Sequence, residues 1–310
     1  MPQYFLGVDG GQSSTTALIA DEAGRVVGTG LGGPCNQAGA IQSSLHAACE
    51  EAGLNPASAR FASACLGLSG GTAGKESILA EMVSSDRTLV TDDAHIALTG
   101  ATAGLPGLVV IAGTGSIAFG RNSAGRTARA GGWGYLFGDE GGAFWIARQA
   151  LRAALRWEEG WGAPTSLRAR LLDATGTRSI NDLLHRCYTA EFPRPRVASL
   201  AVLVNDAAER DDPSALEILD SAARELALLA VAVRAQLFQA EDPTLVTYVG
   251  GVFRSRILLG RFRAWTEPEA AVRVAQPVYG PAIGALLEAY RAAGMAIPDF
   301  QYPAQRKPVS

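Results

Sequence analysis

Residues 5–16 read FLGVDGGQSSTT, an apolar run that ends in a carboxylate, two glycines and four consecutive hydroxyl side chains. The spacing predicts a first strand over Tyr4–Val8 and, after the glycine turn, a second strand over Thr16–Ala20. Glycines allow backbone N–H groups to approach an anion closely, and hydroxyl groups add donors around it. We interpret the turn as a phosphate-binding loop; the alternative is a polar hairpin that begins with an aspartate.

A second hairpin of the same kind follows about a hundred residues later. The run Leu108–Ala112 predicts a strand, Gly113–Gly115 a turn and Ser116–Gly120 a returning strand. Two copies of this arrangement indicate an internal duplication, although glycine-rich hairpins are also common in unrelated proteins. If the two turns face each other, their backbone donors can hold a phosphate from both sides.

Strands and helices alternate along the rest of the chain, as in α/β proteins, and the second half is more helical. The other predicted strands are 25–28, 61–68, 89–91, 126–130, 244–249 and 272–275, and the predicted helices are 40–52, 143–157, 197–210, 214–240 and 282–293. Gly104 and Pro106 favour a break in the chain. We therefore place two domains at 1–105 and 106–310, with helical additions in the second and a last helix that can pack back toward the first.

The composition is that of a folded protein with no sign of a polyanionic partner. With 310 residues, 48% of them apolar, the chain is long enough for about two domains. Its net charge of -3 gives no reason to expect nucleic acid or an anionic membrane as a partner. The four cysteines form no CxxC pair, and the chain shows no signal peptide or membrane span, which predicts a cytoplasmic protein with reduced thiols.

Two familiar nucleotide-binding patterns do not hold. The pattern GxGxxG at 28–33 is followed at once by Pro34, so the helix that a dinucleotide site needs does not open there. The stretch SGGTAGKES at 69–77 has serine in place of the first P-loop glycine and Glu76 in place of the required hydroxyl residue. The sequence therefore predicts neither a Rossmann nor a Walker site.

Seven motifs spread along nearly the whole chain carry a resemblance to a known family. They are FLGVDGGQSST at 5–15, CNQ at 35–37, LGLSGG at 66–71, TDDAHIAL at 91–98, VVIAGTGSIAFG at 109–120, GGWGYLFGDEGGAFWIARQAL at 131–151 and YVGGVF at 248–253. This set resembles the actin, sugar kinase and Hsp70 superfamily and, within it, the BadF/BadG/BcrA/BcrD-type ATPases with the N-acetylglucosamine and glucosamine kinases. The most specific motif is GGWG followed by GDEG.

The resemblance implies an α/β fold of two duplicated actin-like (ribonuclease H-like) domains that hold a nucleotide in the cleft between them. It implies ATP and Mg²⁺ as cofactors and a small-molecule amino sugar as substrate, and the relatives are often homodimers. Asp9 directly follows the first predicted strand. A lone carboxylate beside phosphates usually acts through Mg²⁺, so Asp9 would bind this ion through water.

By this resemblance, the nucleotide site consists of residues from three motifs: Gly10, Gly11, Ser13 and Thr15 in the first, Thr114 and Gly115 in the second, and Gly250, Gly251 and Val252 in the third, which contacts adenosine. The sugar site is implied to consist of Asn36, Ser69, Asp93, Ser116, Gly132, Trp133 and Asp139. Many relatives carry a basic residue where this chain has Ser14. Backbone dipoles, Mg²⁺ or a remote arginine would then have to meet the phosphate charge.

The reaction implied by the resemblance needs a base. Phosphoryl transfer to a hydroxyl typically uses an aspartate that orients the hydroxyl and accepts its proton. Asp92 and Asp93 stand together at the end of a predicted strand, and the resemblance assigns the base to Asp93. The alternative for this pair is a helix N-cap with an acidic first turn. Asp139 likewise reads as a cap before the helix at Ala143, and a capping carboxylate can still bind a sugar hydroxyl.

Three classes of function are open. The leading hypothesis is an ATP-dependent kinase that phosphorylates the 6-hydroxyl of an amino sugar, N-acetylglucosamine first and glucosamine second. An alternative is a BadF-type ATPase that activates a partner enzyme, although such activators carry cysteines for a subunit-bridging iron–sulfur cluster and the cysteines here are dispersed. The third is a filament or a sugar-sensing regulator; the sensor would carry a helix-turn-helix before the first strand, where we expect none.

Overall fold

Two structural units make up the chain, one formed by Met1–Pro106 with Gln276–Ser310 and the other by Gly107–Ala275. The structure is a computed structural model that describes residues 3–12, 14–37, 39–70, 82–267 and 271–300. The strands are β1 (Tyr4–Gly10), β2 (Thr15–Asp21), β3 (Val26–Gly32), β4 (Ser63–Leu68), β5 (Thr88–Asp92), β6 (Gly107–Ala112), β7 (Ser116–Arg121), β8 (Thr127–Gly131), β9 (Thr244–Val249) and β10 (Val272–Ala275). The described helices are α1 (Ala40–Glu51), α2 (Asp93–Ala101), α3 (Ala143–Glu158), α4 (Leu167–Thr175), α5 (Ile180–Cys187), α6 (Arg194–Ser199), α7 (Ala201–Ala208), α8 (Pro213–Leu237), α9 (Arg256–Thr266) and α10 (Pro281–Ala292).

Each unit is built on a mixed five-stranded sheet, and the two sheets have the same topology. The first sheet has the order β3-β2-β1-β4-β5 and the second the order β10-β9-β6-β7-β8. In both, the first three strands of the unit pair antiparallel and the remaining two add in parallel. The predicted α/β fold of two duplicated actin-like domains is therefore confirmed.

The first sheet buries both of its faces. Because successive residues of a strand point to opposite faces, Leu6 and Val8 pack in one core with Leu45 of α1. Phe5 lies in the other core with Tyr290 of α10, where the two rings stack at 4.1 Å between centroids. Helix α10, the last in the described part of the chain, thus packs on β1 of the first unit.

The glycine pattern at 28–33 has a packing role. A Cβ on Gly28 would lie 2.1 Å from the Ala48 carbonyl oxygen, and one on Gly30 would lie 1.8 Å from the Ser44 carbonyl oxygen. Both glycines point from β3 toward α1, so the helix backbone can approach the strand only because these side chains are absent. The structure thereby explains why this pattern occurs without a nucleotide site.

In the second unit the long helix α8 packs on the sheet, and further helices are added, several of which the sequence analysis did not predict. The single predicted helix over 197–210 is two short helices, α6 and α7. Helices α4, α5 and α9 were missed altogether. Among the described residues, no helix is long and apolar enough to cross a membrane.

Glu288 of α10 fixes α2, the helix that begins with Asp93. Its carboxylate accepts a hydrogen bond from the Thr99 hydroxyl, and its Oε1 lies 3.3 Å from Nε2 of His95 and 3.0 Å from a guanidinium nitrogen of Arg291. Burial alone would raise the pKa of Glu288, but the hydrogen bonds from His95 and Thr99 and the nearby positive charges outweigh it and lower the pKa to about 2.

We expect the protein to lose folding stability at acid pH as the Glu288 carboxylate becomes protonated. A pKa that is lower in the folded state gives stability that is present above the unfolded value of 4.5 and lost as pH falls toward about 2, by up to about 3 kcal/mol. Urea unfolding of the wild type and of Glu288→Gln at several pH values in this window measures the loss in the free energy of unfolding. Glu217→Gln, at an exposed position, is the control. Equal acid sensitivity of Glu288→Gln and wild type would contradict the assignment.

Candidate active site

In the first unit, the carboxyl ends of four strands meet at one edge of the sheet. β1, β3, β4 and β5 all run in the same direction, since β2 is antiparallel to both of its neighbours. The residues that follow these strands therefore gather at this edge. The predicted site residues at the edge are Asp9, Gly10, Gly11, Asn36, Ser69 and Asp93.

Asp9 and Asp93 are the two crowded carboxylates of this edge. Asp9 lies beside Gly67 in the parallel register of β1 with β4, and Asp93 is the first residue of α2. Burial, and secondarily the charge of Asp93, raise the pKa of Asp9 to about 7. The protein does not fully compensate the negative charge of either carboxylate. Such a pair favours a bound cation or a role in accepting a proton.

The neighbouring Asp92 and Asp93 differ in environment. Asp92 is exposed and is the N-cap residue by position, but its side chain makes no capping hydrogen bond. Asp93 is partly buried; burial raises its pKa, while the backbone N–H of Ala94 donates to its carboxylate and opposes that rise. The helix N-terminus thus holds the Asp93 carboxylate in place, and the first-turn interpretation and a catalytic role are compatible.

Backbone hydrogen bonds brace the first glycine turn. The Gly11 N–H donates to the Ser14 carbonyl at 2.9 Å, and the Gly11 carbonyl accepts from the Cys35 N–H at 3.0 Å. Thr15 is buried, and its hydroxyl donates to the Gly33 carbonyl at 2.8 Å, so this side chain stabilises the turn. Ser13, also predicted as a phosphate ligand, lies outside the described residues.

The predicted sugar residues of the first unit lie in the loops after β3 and β4. Asn36 is exposed, and Ser69 is half-buried with its N–H donating to the Gly10 carbonyl at 2.9 Å. The Ser69 hydroxyl is 3.7 Å from Sγ of Cys35, which joins the two loops. Both side chains are therefore at the edge that carries Asp93.

The second unit repeats this arrangement around the turn Gly113–Ser116. The turn accepts the first N–H groups of α3: Ala143 donates to the Gly113 carbonyl at 2.8 Å and Phe144 to the Thr114 carbonyl at 3.1 Å. Within the described residues, the N–H groups of Thr114 and Gly115 have no protein partner. These two donors can bind an anion.

The Asp139 carboxylate is hydrogen-bonded to this turn. Asp139 is buried with a positive φ of 62°, and its Oδ1 accepts from the Ser116 N–H at 3.3 Å. The Ser116 hydroxyl, also buried, donates to the Glu140 carbonyl at 2.5 Å. The N-cap of α3 is Gly142, so the cap interpretation of Asp139 is wrong.

A glycine-rich loop follows β8 beside the same turn. The Gly132 N–H donates to the Ser116 carbonyl at 2.9 Å, which fixes the start of the loop. Trp133 is 65% exposed, and the Arg129 guanidinium lies over its ring at 5.0 Å. The indole is thus available for stacking on a ligand rather than used as core.

The third motif ends β9, whose carboxyl end lies beside that of β6. Gly250 has φ 115° and ψ 162°, and Gly251 opens a short 3₁₀ turn that continues through the buried Val252. A Cβ on Gly250 would lie 2.3 Å from the Ala112 carbonyl oxygen, whereas one on Gly251 would meet nothing within 4 Å. The motif thus lies at the sheet edge that carries the Gly113–Ser116 turn.

We expect Gly250→Ala and Gly251→Ala to separate a backbone requirement from a ligand contact. Gly250→Ala should lower the melting temperature by several degrees, because alanine fits neither the dihedral angles nor the space. Gly251→Ala should melt like the wild type. Thermal unfolding monitored by circular dichroism measures both; similar melting temperatures for the two variants would contradict this account of the turn.

The chain is similar in sequence to several known proteins. A sequence profile of the BadF/BadG/BcrA/BcrD ATPase family matches residues 6–289. The chain is 33% identical over 264 residues to an N-acetylmuramic acid/N-acetylglucosamine kinase of Clostridium acetobutylicum, which covers 82% of this chain and 86% of that protein. It is 29% identical over 272 residues to an N-acetyl-D-glucosamine kinase of Dictyostelium discoideum, covering 80% of this chain and 85% of that one.

A solved structure is also similar over nearly the whole chain. It is that of a candidate N-acetylglucosamine kinase from Chromobacterium violaceum, with a TM-score of 0.74 and 30% sequence identity. The alignment covers 92% of this chain and 98% of that one.

Proposed function

Because the chain belongs to the BadF/BadG/BcrA/BcrD ATPase family, we propose that it is an ATP-dependent kinase that phosphorylates the 6-hydroxyl of an amino sugar, N-acetylglucosamine foremost. The observation that carries the proposal is the pair of Asp9 and Asp93 at one sheet edge, with the Asp93 carboxylate held at a helix N-terminus. The names of the relatives support the substrate.

Asp93 is the proposed general base. Its carboxylate orients the sugar hydroxyl and accepts the hydroxyl proton as the oxygen attacks the γ-phosphorus, while the bond from that phosphorus to the β–γ bridging oxygen breaks and ADP leaves. The raised pKa of Asp93, caused first by burial, makes the carboxylate a better proton acceptor than a solvated aspartate. Asn36, Ser69, Trp133 and Asp139 are the proposed contacts for the rest of the sugar ring.

Mg²⁺ fits beside Asp9. The pKa of this carboxyl is raised to about 7 by burial and by Asp93, so a cation would relieve a charge that the protein leaves unmet. The proposed ion is held by the Asp9 carboxylate, water and phosphate oxygens. When bound, Mg²⁺ would neutralise charge on the phosphate oxygens.

Backbone donors are the proposed phosphate ligands. The N–H groups of Thr114 and Gly115 can serve the phosphates without a lysine or arginine beside them. At the turn Gly10–Gly11, where the Gly11 N–H already donates to the Ser14 carbonyl, the proposed contribution is a close approach of the backbone. This would compensate for Ser14, which stands where relatives carry a basic residue. Gly250, Gly251 and Val252 are proposed to contact the adenosine.

The buried cysteines disfavour the activator function. Cys49 and Cys65 lie in the cores of the first unit, where a subunit-bridging cluster at the protein surface cannot reach them.

Release of ADP from Mg-ATP, with and without single sugars, tests the proposed function. The panel is N-acetylglucosamine, N-acetylmuramic acid, glucosamine, glucose and N-acetylmannosamine. We expect strong stimulation by N-acetylglucosamine, because a bound sugar gives the γ-phosphoryl group a positioned hydroxyl acceptor, whereas free water is not held in line with it. ATP hydrolysis that ignores the whole panel would contradict the kinase and favour an ATPase that serves a protein partner.

A further inference from the structure

Arg194 is a cation that reaches the site from a distant part of the sequence. It is the first residue of α6, 55 residues after Asp139, and its Nη2 donates to Oδ2 of that carboxylate. The Arg194 side chain is 25% exposed and the Asp139 side chain 7%. The ion pair is therefore largely shielded from water. Removal of one partner from such a pair is strongly destabilising, because the other charge is left buried and unpaired.

The Asp139 carboxylate is held between Arg194 and the Gly113–Ser116 turn. Its second oxygen accepts from the Ser116 N–H at 3.3 Å. The opposite side is closed by Gly115, because a Cβ there would lie 2.4 Å from Oδ2. In this position the carboxylate is hydrogen-bonded to both the Arg194 guanidinium and the turn.

Two aromatic rings hold the guanidinium itself. Its central carbon lies 5.2 Å from the ring centre of Tyr135 and 5.9 Å from that of Phe144, and these rings contact each other edge to face at 5.3 Å. Tyr135 belongs to the loop that carries Trp133, and the Phe144 N–H donates to the Thr114 carbonyl. Arg194 therefore joins three segments: the Trp133 loop, the start of α3 and Asp139.

We propose that Arg194 is a positioning residue for sugar binding, acting through Asp139; this rests on the proposed function. Its planar guanidinium fixes the orientation of the Asp139 carboxylate. Asp139, Ser116 and the Trp133 loop thereby stay in the positions required to bind the sugar. Lysine would keep the charge but has neither the fork for the carboxylate nor the flat surface for the rings. Arg194 itself does not touch the reacting atoms.

Steady-state kinetics of Arg194→Met and Arg194→Lys test this role. Methionine keeps an apolar chain over Tyr135 and Phe144 but removes the charge. We expect Arg194→Met to raise KM for N-acetylglucosamine about 10- to 100-fold while KM for ATP changes less than about threefold, with Arg194→Lys between it and the wild type. In the Asp139→Asn background, Arg194→Met should add little, since the two act as one unit.

Arg186→Met is the matched control. Arg186 also pairs with a glutamate, Glu191, and also lies over a ring, Phe192 at 5.1 Å, but it belongs to α5 and does not touch Asp139. We expect Arg186→Met to keep both KM values. Thermal unfolding of every variant separates a folding defect from a defect in sugar binding. If Arg194→Met does not fold, the kinetics of Arg194→Lys test the role of Arg194.

The possible failures are distinguishable. A wild type that a sugar stimulates, together with an unchanged sugar KM in Arg194→Met, would overturn the role of Arg194 alone. Equal rises of the sugar and ATP KM values would also overturn it, because the effect would then be structural. A wild type that no sugar stimulates would overturn the proposed function and this role with it.

Discussion

Asp93→Asn is expected to lower kcat for phosphorylation of N-acetylglucosamine by about 10²- to 10⁴-fold, the usual contribution of a general base. Asparagine has the same shape and its amide oxygen can still accept from the Ala94 N–H, so the start of α2 should stay intact. It cannot accept the proton of the sugar hydroxyl. Steady-state ADP release measures kcat, and Kd for Mg-ATP should stay within about threefold of the wild type.

Asp92→Asn is the control for this prediction. Asp92 is adjacent, carries the same charge and is exposed, so its replacement removes a carboxylate from the same helix start without touching the proposed base. We expect near-normal kcat. Full activity in Asp93→Asn, or its loss in Asp92→Asn, would place the base elsewhere.

Gly115→Ala is expected to have the next largest effect, a fall in kcat/KM of about 100-fold. A Cβ at this position would lie 2.4 Å from Oδ2 and 2.5 Å from Cγ of Asp139. The carboxylate cannot move aside freely because Arg194 and the Ser116 N–H hold it. The turn must therefore shift, and its Thr114 and Gly115 N–H groups with it.

Gly113→Ala controls for the flexibility that any glycine gives to this turn. A Cβ on Gly113 would meet no atom within 4 Å, and the residue is two positions away in the same turn. We expect Gly113→Ala to retain most of the kcat/KM of the wild type. Similar losses in the two variants would show that the contact with Asp139 is not what the turn requires.

Much of the fold was predictable because its signals are local. The hairpins around Asp9 and Gly113 show alternating apolar residues and glycine turns, and both are present in the structure. Helix α9 could have been found as well. Ser255 precedes it and accepts from the Leu258 N–H, and Leu258 and Phe262 repeat at helical spacing on its buried side.

The parts that were not predictable depend on contacts between distant residues. Nothing around Arg194 signals that it lies against Asp139, because the two residues are 55 positions apart in the chain and meet only through the tertiary fold. The hydroxyl of Thr15 looked like a phosphate donor, but its partner is the carbonyl of Gly33, which directly follows the neighbouring strand β3. Asp139 was mistaken for a cap because the left-handed turn at this residue, which ends at Gly142, has no clear signature in the sequence.

The central claim is that a γ-phosphoryl group passes from ATP to an amino sugar, and ³¹P NMR of the products tests it most directly. The protein would be incubated with Mg-ATP and N-acetylglucosamine, and the ³¹P spectrum correlated with the sugar protons. Our account predicts a phosphomonoester signal coupled to the C6 protons, formed together with ADP and absent without sugar. ADP that appears only with inorganic phosphate, whether sugar is present or not, would contradict it.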